Sequence, residues 1–393
     1  PGLNAILSGP VKVQVQGSAD NRKLEADLGA AKIDLPWVGW SKGAGIPAKA
    51  TFSLSGAGGD LQISDFQLQG KSFSARGILS VAGGALQSAR FDHVSLTGDD
   101  DVAVSVKRSG KAYAVSVNGS SLDARSLIKG INDDMAAGVR ASTTGVTVDA
   151  RLKRLVGFGG EALSDVSLQY TAGGGLALAG VARSGGAVQI ENIVSGGKRR
   201  VSIDSQDAGA LLRFLNVYGR VQGGALKLAL AGDKSLRGRV DIRDFTVVDE
   251  PKLSSLVSSP PPGGDRSLSQ LAKTKIDTSR VKFDKGYVEL ERGDGSLRIA
   301  NGVLRGPVIG TTFQGTAYDK QNRMDMTGTF MPAYGLNSIF GDIPVLGAFL
   351  GNGRDGGLIG LTYRLRGDVK SPRLEVNPLS VIAPGIFRSI FEF

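Results

Sequence analysis

The residues able to do chemistry are few, and their spacing supports little of it. His93 is the only histidine among 393 residues and there is no cysteine, which excludes a multi-histidine or thiolate metal site. A single histidine in an alternating strand is more often structural. Asp99-Asp100-Asp101 suggests calcium, but it lacks the spaced oxygen ligands of an EF-hand and the nonapeptide of a calcium β-roll. It reads as a solvated hairpin turn, and Asp133-Asp134 reads the same way. Gly351-x-Gly353-x-x-Gly356 has the letters of a dinucleotide fingerprint, which needs a strand before it and a helix after. Here a helical stretch precedes and a strand from Leu358 follows, so the order is reversed. No two carboxylates are set apart by spacing as acid and base. The chain reads as non-enzymatic, with no cofactor or metal implied.

The balance of 47 basic and 37 acidic residues gives a formal net charge of +10. Such a balance favours nucleic acid or an anionic membrane surface. The charges are dispersed singly along strands, however, and the densest run is Lys198-Arg199-Arg200 in a turn. Without interleaved aromatics, no nucleic-acid partner is expected. No stretch approaches the ~18–20 apolar residues of a transmembrane helix. The longest, Ile343 to Leu350, contains Pro344 and Gly347. The chain opens on Pro1 with no initiator Met, which reads as part of a longer protein whose preceding segment holds a signal or anchor.

The elements that must position any site are strands. Period-two alternation runs through Val11-Val13-Val15, Leu61-Ile63, Val102-Val104-Val106, Val115-Val117, Val146-Val148, Val166-Leu168-Tyr170 and Leu176-Leu178. It continues in Val188-Ile190, Val201-Ile203, Leu226-Leu228-Leu230, Val240-Ile242, Val288-Leu290, Leu297-Ile299, Met324-Met326 and Leu361-Tyr363-Leu365. One face is apolar and the other wetted, as in antiparallel sheet. Glycine is 57 of 393 residues, about twice the usual ~7%, and Gly-Gly pairs recur at hairpin intervals. Leu61-x-Ile63 with Leu68-x-Gly70 has the same offsets as Leu297-x-Ile299 with Leu304-x-Gly306, a loose internal repeat. Helical spacing appears at Ala124 to Ala137 and Asp207 to Tyr218, with shorter pieces at Ser254–Val257, Leu268–Ala272 and Ala333–Leu350. Ser258 through Pro260-Pro261-Pro262 to Gly264 is a loop or hinge, extending to about 266.

These signals predict a mainly β fold: an elongated, curled antiparallel sheet with a few short helices and a helical C-terminal cap. At ~4.8 Å per strand, such a sheet is on the order of 100 Å long. Its apolar face is either a packed core or the lining of an open groove, and composition leaves both standing. The candidate lining residues are Leu61, Ile63, Val104, Val106, Val146, Val148, Val166, Leu168, Leu176, Leu178, Val188 and Ile190. The second half adds Val201, Ile203, Leu226, Leu228, Leu230, Val240, Ile242, Val288, Leu290, Leu297 and Ile299. A terminal cluster of Ile339, Phe340, Leu346, Phe349, Phe387 and Phe391 either caps the last strand or touches a membrane or partner.

Ile343-Pro344-Val345-Leu346-Gly347, Val376-Asn377-Pro378-Leu379-Ser380 and Ala383-Pro384-Gly385 follow one another in the last sixty residues. Upstream stand Gly209 to Leu215 before Gly223-Gly224, then Asp244-Phe245 leading to Pro251 and Gly306-Pro307-x-x-Gly310-Thr311. In this order they resemble the C-terminal region of the AsmA-like family of bacterial envelope proteins, the group of AsmA, TamB and YhdP, and most of all its YhdP-type branch. The resemblance divides the chain into a repeated β-hairpin groove over 1–205 and an AsmA-like domain over 206–393, with a cap over 332–393. It implies a periplasmic β-groove anchored to the inner membrane, moving phospholipid toward the outer membrane with possible envelope partner proteins. The rival from another class is a dry-cored scaffold in envelope assembly.

Overall fold

The computed structural model describes residues 6–18, 21–57, 59–130, 145–258, 277–332 and 361–377. In chain order the first strands are β1 (Leu7–Ser8), β2 (Lys12–Gly17), β3 (Asn21–Asp27), β4 (Lys32–Leu35), β5 (Trp40–Lys42), β6 (Ala48–Ala57), β7 (Asp60–Gly70) and β8 (Ser74–Ala82). Next come β9 (Ala85–Ser95), β10 (Asp101–Ser109), β11 (Ala112–Asp123), β12 (Val146–Val156), β13 (Ala162–Thr171), β14 (Gly175–Ala182), β15 (Ala187–Ser195) and β16 (Lys198–Ser205). The series ends with β17 (Val221–Gly232), β18 (Ser235–Val248), β19 (Arg280–Gly293), β20 (Ser296–Arg305), β21 (Ile309–Tyr318), β22 (Arg323–Pro332), β23 (Leu361–Asp368) and β24 (Arg373–Asn377). Among the described residues the series is interrupted by two helices, α1 (Ala208–Phe214) and α2 (Pro251–Ser258), by a 3-10 turn at Pro36–Val38 and by a helical turn over 125–130.

β1, β4 and β5 form a small sheet of their own; the other 21 strands form one long curled sheet. Each strand pairs with its neighbour in chain order, β3 reaching β6 across the small sheet. The outermost strands, β2 and β24, pair only with β3 and β23 among the described residues, so the sheet is open rather than a barrel. The ladder runs unbroken through the β16–β17 pair, across the boundary expected at 205.

One expectation needs correcting. The sheet is not antiparallel throughout: β11 and β12 are parallel, with Tyr113 opposite Val146 and Asp123 opposite Val156. A parallel neighbour cannot be reached by a tight turn, because the chain must first return along the length of a strand. The connection after Asp123 makes that return, and 125–130 of it is a helical turn. The longer helix expected over Ala124 to Ala137 extends past the described residues, as do the pieces at 268–272 and 333–350.

The topology makes the two long rims of the sheet different. The tight turns after β2, β6, β8, β10, β13, β15, β17, β19, β21 and β23 lie along one, the turn rim. The other, the cap rim, receives the small sheet, the 125–130 turn, α1 and α2. All three buried apolar clusters draw on these caps: Leu28, Ile33 and Phe73; Ile128, Leu211 and Phe214; and Phe245, Leu256, Ile309 and Phe330.

Candidate functional site

Register decides which residues share a face, since directly opposed residues point the same way. One row crosses every strand from β6 to β24. It begins Leu54, Ile63, Leu79, Ala89, Val106, Val115, Val148, Tyr170, Leu176 and Asn192. It continues Val201, Leu230, Gly238, Leu290, Ile299, Gly315, Met326, Leu365 and Leu374. Asn192 is its only amide; the remainder is aliphatic, glycine or a tyrosine ring.

A row parallel to it, nearer the cap rim, carries Val104, Val117, Ala150, Leu168, Leu178, Ile190, Ile203, Leu228 and Val240. The structure thus brings the predicted lining residues onto one continuous face. β-Bulges keep them there. Asp65 at φ 53° and Asn301 at φ 48° take the left-handed region, which short polar side chains tolerate. Each shifts the register, so that Phe66 follows Ile63 on the apolar face and Leu304 follows Ile299 after an extra residue.

The lining is not uniform in depth. Val166, Leu178, Val188, Leu226 and Leu230 are 0–8% exposed, so these five are packed core rather than open lining. The caps explain part of this burial, because Leu211 and Phe214 of α1 belong to the same cluster as Val166, Leu178 and Val188. The other eighteen predicted positions, Leu61 and Ile63 through Leu297 and Ile299, are half-buried. On the turn-rim side Val106, Val148, Leu176, Val201, Leu290 and Ile299 belong to none of the three buried clusters. The outer face is wet and carries ion pairs such as Lys49–Glu25 at 2.6 Å, Lys227–Asp204 at 3.2 Å and Arg237–Glu291 at 2.6 Å.

The caps are held by polar residues that sequence reasoning missed. Trp40 donates from Nε1 to the carbonyl of Leu96 at 2.8 Å, and its ring meets Phe73 edge-on at 5.1 Å. Lys42, 1% exposed, donates from Nζ to the carbonyls of Ala31, Ile46 and Gly43 at 2.7, 2.9 and 3.1 Å. Three acceptors match the three protons of an ammonium group. Asp207 caps α1 by accepting from the Ala210 amide at 2.9 Å, and Arg213 joins Glu161 at 2.8 Å.

The aspartate triplet is only in part the solvated turn expected of it: Asp101 is exposed, whereas Asp100 is held inside the fold. Asp100 is 9% exposed and accepts from the amides of Leu96, Thr97 and Asp123 at 3.2, 2.8 and 2.7 Å. It thereby ties the β9–β10 turn to the end of β11. Asp99 and Asp123 hold the guanidinium of Arg125 at 2.7 and 2.6 Å. Burial alone pushes the Asp123 carboxyl up, but the hydrogen bonds and charge of Arg125 outweigh it, leaving the group below its ordinary value. His93 lies 3.5 Å from Asp101 at the neighbouring strand ends.

Among the described residues no cluster of three or more acidic or histidine side chains is arranged to hold a metal. No described helix is long and apolar enough to cross a membrane. The six terminal-cluster residues and the Gly351–Gly356 run lie outside the described residues. In comparisons with known proteins, no family model, no curated protein and no solved structure matches this chain.

Proposed function

We propose that this chain carries phospholipid along its apolar face, as part of a non-enzymatic conduit between the inner and outer membranes of a bacterial envelope. The observation that supports it is the row from Leu54 to Leu374, aliphatic almost throughout and half-buried over most of its length. Removing acyl chains from water onto such a surface contributes about 0.8 kcal/mol per CH₂. A row whose one amide is Asn192 offers few polar interruptions to a chain sliding from strand to strand. The periplasmic setting, the inner-membrane anchor and envelope partner proteins follow from the AsmA-like resemblance and belong to the same proposal.

A second reading has its own support. The three dry clusters beneath the caps are ordinary core, which suits an envelope assembly scaffold. The two readings part at the turn-rim half of the face. A photo-crosslinking amino acid at Val106 or Leu176 should label phospholipid in cells, while one at the outer-face neighbour Ala177 should not. Equal labelling at both faces, with no phospholipid copurifying, would leave the scaffold.

A further inference from the structure

At its ladder positions the turn-rim side of the groove face carries arginine and no carboxylate, while the tight turns beyond hold Asp233, Asp294 and Asp319 beside Lys234 and Lys320. One step outward from the central row, the register places Arg108 opposite Tyr113, Arg199 opposite Val194 and Gly232, and Arg292 opposite Leu236 and Leu297. In the central row and the step outside it, no ladder position from β6 to β24 is Asp or Glu. The outer face sets carboxylates beside its arginines, Arg239 with Asp241 at 2.6 Å and Arg364 with Asp325 at 2.8 Å, whereas Arg108 on the groove face donates from Nε to the carbonyl of Gly110 at 2.8 Å. Acidic residues are common in the chain; on this strip of the groove face they are missing.

A second observation falls at the same place. Asn192 is the one amide of the central row, and its Oδ1 is buried with no hydrogen-bond partner among the described residues. Asn192 faces Val201, and Arg199 faces Val194, so the amide and the guanidinium are diagonal neighbours on β15 and β16. Diagonal pairs lie ~7–8 Å apart, close enough for both to reach one ligand. A guanidinium matches a phosphate bidentately, and an orphaned amide oxygen accepts from a hydroxyl donor.

Resting on the lipid-groove reading, we infer that the turn rim is a headgroup track that favours phospholipids of net negative headgroup charge over zwitterionic ones. Its central station is Arg199 with Asn192. Arg108 lies six strands away, roughly 29 Å, and Arg292 three strands away, roughly 14 Å. Acyl chains lie inward on the aliphatic row and headgroups outward, because the cap rim is occupied by the small sheet, α1 and α2. The occupant is a two-chain amphiphile with a net negative headgroup.

The test uses the full chain, acyl-labelled phosphatidylglycerol, and phosphatidylcholine with the same chains. The wild type should prefer the anionic lipid by about fivefold, the scale of one or two partly exposed ion pairs. The Arg108→Gln/Arg199→Gln variant should lose that preference, its affinity for phosphatidylglycerol falling about fivefold further than that for phosphatidylcholine, with an unchanged circular dichroism spectrum showing that it is folded. Equal wild-type affinity for the two lipids, or a preference that survives in the variant, overturns the headgroup track and leaves the groove intact. Binding of neither lipid overturns the groove itself. Displacement of the anionic lipid by micromolar inorganic phosphate, but not by equal ionic strength of chloride, marks a free-phosphate site and also overturns the track.

Discussion

At the scale of single residues, the cap rim is where polar chemistry stabilises the fold. Lys42 satisfies three carbonyls in a site closed to water. Lys42→Met keeps the aliphatic stem but leaves those acceptors unpaired, so we expect a loss of about 1–3 kcal/mol, read as a lowered urea midpoint. Asp123 gives a pH-dependent counterpart. Its folded pKa lies below the ordinary 3.8, so its contribution is fully present above that value and is lost as pH falls through the lower folded value. Asp123→Asn should therefore cost about 1 kcal/mol near neutrality, and its stability gap from the wild type should close below pH 3.8. A gap independent of pH would mean that geometry, not charge, makes Asp123 matter.

At the scale of elements, depth within the groove face separates core from lining. Val188 is fully buried, whereas Ile299 is half-buried and outside every buried cluster. Val188→Asp should unfold the β14–β16 region, because an unpaired charge in an apolar site costs several kcal/mol. Ile299→Lys should fold with a loss of roughly 1 kcal/mol or less and weaken lipid binding, measured by thermal melting beside the lipid assay. Much of this face was legible in the sequence, since period-two alternation of Val, Leu and Ile identifies a strand face directly. The offset repeat was legible too, and it proves structural. Asp65 and Asn301 hold matching bulges, and Gly70 bonds Phe73 O at 2.8 Å as Gly306 bonds Ile309 O at 2.9 Å. The lining's depth was not legible, because Val188 and Val201 read alike until the fold places one in the buried cluster that includes α1 and leaves the other outside it. Trp40 and Lys42 were missed, and Asp100 was read as solvated, because their partners are carbonyls and amides brought together only by the fold.

At the scale of the whole molecule, each strand touches mainly its neighbours, so cooperativity should be local. Hydrogen exchange should show the strand ends at the cap rim as the slowest sites. Protection should decline toward the turn rim in every hairpin from β6 to β22. Uniform protection across both rims would indicate a closed core and argue against an open groove. Addition of anionic phospholipid should raise protection on the turn-rim side first.

The one parallel pair among the described residues has a further consequence, one of parity. A meander alternates direction, so inserting or deleting one strand exchanges the rim on which every later connection falls. If β12 ran antiparallel to β11, the connections carrying α1 and α2 would emerge among the tight turns instead of beside the small sheet. The β11–β12 joint acts as a phase correction that lets two blocks of hairpins keep all their caps on one side. Length is then adjustable only in even steps. Excising residues 175–197, which removes β14 and β15 together, should yield a shorter folded sheet with its caps still aligned, visible as preserved strand content by circular dichroism. Excising β14 alone should not.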